Sequence, residues 1–124
     1  MAEIHLKTLA HSYSADPKSP GEYAIREMDH VWEQGGAYAL LGPSGCGKST
    51  LLNIISGLLS PSEGDVLFDG QRVNELSPAE RNIAQVFQFP VIYDSMTVFD
   101  NLAFPLRNMK IQESRVQKKV LEIA

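Results

Sequence analysis

The densest chemistry in this 124-residue chain lies in nine consecutive residues, Gly42-Pro43-Ser44-Gly45-Cys46-Gly47-Lys48-Ser49-Thr50. They fit G-x-x-x-x-G-K-[ST], the pattern of a phosphate-binding loop. A polyphosphate needs many N–H donors at close range. Glycines at 42, 45 and 47 let the backbone curl so that successive amides face one anion without Cβ clashes. Lys48 adds a mobile ammonium for the β and γ phosphates, and the Ser49 hydroxyl suits Mg²⁺. A helix beginning near Gly47 points its free amides and the positive end of its dipole at the same place. Pro43, Ser44, Cys46 and Thr50 complete the loop. The glycine spacing differs from the G-x-G-x-x-G of dinucleotide folds, which argues against a nicotinamide or flavin site.

Such a loop must be held between a strand and a helix. The apolar run Tyr38, Ala39, Leu40, Leu41 predicts the strand, and Leu51, Leu52, Ile54 and Ile55 predict the helix, with Gly57 as its C-terminal cap. Upstream, the alternation at Ile4 and Leu6 predicts a short strand, and Pro17, Ser19, Pro20 and Gly21 a loop. Tyr23 to Trp32 resumes as an antiparallel strand. Downstream, Gly64 to Phe68 predicts a strand, and Asp69-Gly70 turns it back in a hairpin. Ser77-Pro78-Ala79-Glu80 is a capping box that predicts a short helix stopping by Asn82. Ile83 to Phe87 predicts another strand, ending at Gln88. Thr97 caps a helix that Pro105 bends or ends, and a further helix starts at Gln112, with Val116, Val120 and Leu121 on one face.

Composition narrows the class. The net charge is −4 and the cations are scattered, so there is no electrostatic footprint for nucleic acid. Cys46 is the one cysteine, which excludes a disulfide framework and fits a reducing compartment. No run reaches the 18 apolar residues of a membrane span, and the N-terminus lacks a signal-peptide core. These features predict a cytoplasmic protein that meets a membrane through a partner and does not insert directly. His5, His11 and His30 show no metal-ligand spacing.

Hydrolysis of a bound triphosphate also needs an acid to hold the Mg²⁺ shell and a group to orient water. Asp69 closes an apolar run but precedes glycine, and the pair is a turn. Gln88 follows an apolar strand. As a solvated strand-end residue it would do nothing, whereas beside the phosphate loop its amide could ligate Mg²⁺ and sense the γ-phosphate.

Taken together, GPSGCGKST, LLNIISGL, the SEGDVLFDG hairpin, Arg81-Asn82-Ile83-Ala84-Gln85-Val86-Phe87-Gln88 and Met96-Thr97-Val98-Phe99-Asp100-Asn101-Leu102 resemble the ATPase subunit of an ATP-binding cassette transporter. Within that family the chain is most similar to the sugar and polyol importers. The resemblance implies an α/β P-loop NTPase-type core carrying an antiparallel β-subdomain, incomplete here, over residues 1–94. The beginning of a helical subdomain would follow over 95–124. It implies ATP and Mg²⁺ as ligands, with 42–50 as Walker A and Lys48 stabilising phosphate charge. Ser49 and Gln88 would meet Mg²⁺, and Tyr13 falls where the family stacks an aromatic on adenine, although a buried strand tyrosine is the plainer alternative. The implied partners are transmembrane permease subunits and a second ATPase subunit, at the inner face of the cell membrane.

Two local departures accompany the resemblance: Ser14 to Gly21 is longer than the usual connection, and Asp94 stands where the family has proline. The larger departure is that the family's signature loop, acid-terminated second strand and switch histidine are not in these 124 residues. The chain is therefore expected to be the front half of a longer subunit, inactive in hydrolysis by itself. A nonhydrolytic nucleotide-binding module ending at Ala124 is the alternative. The guanine-reading N-K-x-D of a GTPase is absent.

Overall fold

A computed structural model describes residues 2–124. The chain divides into two compact units, Met1–Gln85 and Val86–Ala124. In the first, strands β1 (Ile4–Ser12), β2 (Tyr23–Trp32), β3 (Glu63–Phe68) and β4 (Gln71–Arg72) form a four-stranded sheet in the order β2-β1-β3-β4. Every pairing in it is antiparallel. Asp69 and Gly70 both take positive φ, as a two-residue hairpin loop requires, so the β3–β4 turn follows the sequence expectation.

β1 is longer than the alternation at Ile4 and Leu6 suggests, because a bulge interrupts that alternation. Thr8 has φ 47°, and the register with β2 shifts between Leu6 and Leu9. Asp29 holds the bulge: one carboxylate oxygen accepts the Thr8 N–H at 2.9 Å and the other meets His5 Nε2 at 2.9 Å. The hydrogen bond from His5, then that from the Thr8 amide, keeps the Asp29 carboxyl below its ordinary range. Beyond the bulge Leu9, Ala10, His11 and Ser12 are all buried.

Helix α1 (Lys48–Ser56) lays Leu51 and Ile54 on this sheet, where they join Leu6, Leu9, Ile25, Val66 and Val73 in one core. Gly57 ends the helix as expected, its N–H reaching Asn53 O and Ile54 O. Three sequence expectations are corrected here. Residues 38–41 and 83–87 form no strand. A strand exists through the ladder it makes with a neighbour, and among the described residues nothing pairs with either segment. The Ser77 capping box does form, with Ser77 N–H on Glu80 Oε2 at 2.8 Å, but it closes a single turn. Asn82 at φ 53° stops the chain from continuing as a helix.

The second unit is a helix pair, α2 (Val98–Asn108) and α3 (Glu113–Ile123), closed around Ala103, Val116 and Val120 with Phe99, Leu106 and Ile111 alongside. Thr97 caps α2 through Asp100 N–H at 3.1 Å. Pro105 does not end α2, which runs on to Asn108. The lost helical bond is offset by the burial of Ala103 and Leu106 and by Arg107, which joins Asp100 (3.0 Å) to Glu113 (2.7 Å) across the two helices. Asn101 folds back on the preceding turn, donating to Tyr93 O and Thr97 O and accepting from Tyr93 N–H.

Ile54 is fully buried at the centre of the first core. Ile54→Ala is expected to remove about 2–5 kcal/mol of stability. Urea unfolding should show this as a lowered midpoint with an unchanged slope.

Candidate functional site

The phosphate-loop residues form an exposed arch between 41 and the first turn of α1. Cys46 N–H donates to Pro43 O at 3.2 Å, tightening the arch, and Leu51 N–H closes the first helical turn on Gly47 O at 2.9 Å. Lys48 folds its side chain back over the arch. Its Nζ donates to Gly42 O and to Pro43 O, the latter at 3.0 Å.

Gly47 is the N-cap of α1, with φ 100°. A Cβ there would lie 2.5 Å from Ala24 O on β2, so the sheet itself requires glycine at this position. The same absence of a side chain leaves the helix without a side-chain cap. The first-turn amides of a helix have no intrahelical acceptor, and here, among the described residues, no side chain caps them. An uncapped helix start leaves its first-turn amides and the positive end of the helix dipole unopposed by a capping side chain. Beside the arch, a cleft of about 480 Å³ runs between Gly45, Cys46, Gly47 and Lys48 on one side and Ile25 and Met28 on the other.

Tyr13, just past the end of β1, lies beside this helix. Its hydroxyl is 3.0 Å from Thr50 Oγ1, and its ring is 69% exposed. It is therefore not a buried strand tyrosine, and an open ring face stands beside Thr50 at the start of α1. Behind it His11 packs edge-on, 4.7 Å between ring centroids. His11 is 6% exposed, its Nδ1 meets Ser62 Oγ at 3.3 Å, and its Nε2 has no partner. Burial pulls the His11 imidazole below its ordinary pKa of 6.5.

The first unit thus brings together Gly42 to Thr50 and Tyr13. Gln88 belongs to the second unit, on an exposed bend. Sequence patterns missed three polar groups that support the site. Arg81 is buried against the C-terminal end of α1, Gln85 binds Asn53 on that helix, and His11 backs Tyr13. Arg81 and His11 bind main-chain or hydroxyl oxygens that carry no spacing signal. The sole hint for Arg81 is its place before an apolar run.

The ABC transporter family profile matches residues 25–123. The chain belongs to this family of ATP-binding cassette proteins. It is 43% identical over all 124 residues to the trehalose import ATP-binding protein SugC of Mycobacterium tuberculosis (strain ATCC 25618 / H37Rv). It is 41% identical over 120 residues to the uncharacterized ABC transporter ATP-binding protein YurJ of Bacillus subtilis (strain 168). The chain spans 30% and 31% of the length of these relatives. Among solved structures, the ATP-binding cassette MJ0796, a dimer in a post-hydrolysis state bound to ADP and Pi, superimposes with a TM-score of 0.78 at 30% identity. That match covers 96% of this chain and 54% of that one. The fold is accordingly that of the ABC ATPase domain over the part the chain spans: an antiparallel sheet, the phosphate-loop helix and a helix pair. Among the described residues, no helix is long and apolar enough to cross a membrane.

The His11 environment sets a pH dependence. A histidine whose folded pKa lies below its unfolded value contributes stability that is full above about pH 6.5 and is lost as pH falls toward the folded pKa. Wild type is expected to lose urea stability between about pH 7 and 5 more steeply than His11→Gln. Parallel curves for the two proteins would remove the assignment.

Proposed function

We propose that the chain is the ATP-binding portion of the ATPase subunit of an ABC importer for a sugar or polyol. In that role MgATP binding and hydrolysis are coupled to transport. The observation that carries this reading is the uncapped N-terminus of α1, ringed by the 42–47 arch and by a lysine parked on two carbonyls. The similarity to a trehalose import protein supports the importer class.

The residues present fit a nucleotide. Lys48 has two neutral carbonyl partners to exchange for phosphate oxygens, a trade of ammonium–carbonyl hydrogen bonds for ammonium–phosphate ion pairs. The amides of 45 to 50 meet the phosphates, Tyr13 offers its exposed face to adenine, and its bond to Thr50 ties that face to the phosphate-binding helix. Ser49, exposed in the first turn, and Gln88 are the proposed Mg²⁺ ligands. A bound Mg²⁺ would neutralise phosphate charge as the γ-phosphate leaves. Gln88 is also the proposed contact to the transmembrane permease subunits, and a second ATPase subunit would supply the opposing half of the site. The subunit would sit at the inner face of the membrane through those partners.

The 124 residues carry no signature loop, acid-terminated second strand or switch histidine. Loss of acid–base assistance alone costs roughly 10²–10⁴ in rate. Phosphate release by the 124-residue chain should therefore stay at the background rate, and turnover at a typical ATPase rate would contradict this. Binding is the direct test. Calorimetric titration with MgATP should give a saturable isotherm for the wild-type chain and no measurable binding for Lys48→Ala. Equal affinities in the two proteins would overturn the proposal.

A further inference from the structure

Arg81 is 6% exposed and, among the described residues, is paired with no carboxylate. A buried guanidinium is costly unless its donors are satisfied, and here main-chain carbonyls from two segments satisfy them. Nη1 donates to Ile54 O at 2.9 Å and Ile55 O at 3.0 Å, in the last turn of α1. Nε donates to Leu76 O at 3.0 Å and Nη2 to Asn74 O at 3.4 Å, in the turn after β4. The last turn of α1 has no basic residue of its own, so Arg81 is the cation at the negative end of that helix.

Asn53 O takes the N–H groups of Gly57 and Leu59 and the Ser56 hydroxyl, and Ile54 O accepts from both Gly57 N–H and Arg81 Nη1. Ile55 O is held by Arg81. Four residues on, Gln85 Nε2 reaches Asn53 Oδ1 at 3.3 Å, a second tie from the same segment to the same helix.

α1 has nine residues, below the roughly 12 at which a helix becomes stable by itself in water. Its N-terminal end is uncapped and carries the phosphate loop, so it contributes little to fixing the helix. The far end must then do more. We propose that Arg81, seconded by Gln85, is a positioning residue for the phosphate loop. Its guanidinium clamps the C-terminal carbonyls of α1 to the 74–76 turn and so fixes where the opposite end presents its amides. Without the clamp, α1 frays from Ile55 backward and the Lys48 to Thr50 amides lose their common aim. The link to affinity rests on the nucleotide-binding reading above; the clamp itself does not.

The test compares wild type, Arg81→Met and Arg81→Lys in the 124-residue chain. It uses residue-resolved amide exchange, urea unfolding and MgATP titration. Arg81→Met should speed exchange at Gly57 and Leu59, whose N–H groups close on α1, while β1 amides from Ile4 to Leu9 stay protected. It should also raise the MgATP Kd by about tenfold beyond what the measured unfolded fraction explains. Arg81→Lys, which keeps the charge with fewer donors, should recover part of both. Should Arg81→Met fail to fold, Arg81→Lys against wild type carries the same two comparisons.

Equal acceleration across β1 and the end of α1, or an unchanged Kd in a folded variant, would overturn the proposal. If the folded wild-type chain binds no MgATP, the functional reading falls. The exchange pattern then still decides whether Arg81 holds the helix.

Discussion

The site depends on one short helix being held without using the end that must stay open. A nine-residue helix has orphan donors at its start and orphan acceptors at its finish. In most helices a side chain caps the start. Here the start is glycine, pressed against Ala24 O where a Cβ would lie 2.5 Å away, and its amides are left free. Holding the helix therefore falls to its flank and its finish. Leu51 and Ile54 are buried on the sheet, Gly57 closes the last turn, and Arg81 binds the Ile54 and Ile55 carbonyls.

The sheet serves the same end from the other side. Its bulge at Thr8, held by Asp29, shifts the register of β1 so that Leu9 to Ser12 are buried in succession. That places His11 behind Tyr13 and leaves the Tyr13 ring exposed, with its hydroxyl on Thr50. A bulge is a local defect in pairing that re-aims side chains. In this chain the re-aimed residue stands beside the proposed phosphate site. His11 and Arg81 are both buried, with the His11 pKa lowered by that burial and the Arg81 guanidinium satisfied by carbonyls.

Membership of the ABC transporter family and the superposition on an ATP-binding cassette account for the architecture. Tyr38 to Leu41 and Ile83 to Phe87 have the composition of buried strands, yet among the described residues neither has a ladder partner, and Leu41 and Val86 are strongly exposed. The helix pair, whose contacts are close in sequence, meets no such difficulty.

The chain's own sequence determined everything whose cause lies within a few residues. The glycine-lysine-serine loop, the Gly57 and Thr97 caps, the Asp69-Gly70 hairpin and the helices α1, α2 and α3 follow from φ preferences, caps and periodicity, which act locally, although Leu121, expected on the face of α3 with Val116 and Val120, is 72% exposed. Tertiary structure decided what depends on distant partners. Whether an apolar run becomes a strand is set by the availability of a neighbouring ladder, so 38–41 and 83–87 were misjudged from composition. Whether Pro105 ends a helix is set by the packing around it. Arg81 reaches carbonyls 26 and 27 positions away, and Tyr13 reaches a hydroxyl 37 positions away. Main-chain carbonyls are chemically the same at every residue, so no side-chain pattern in one dimension could have named them as partners.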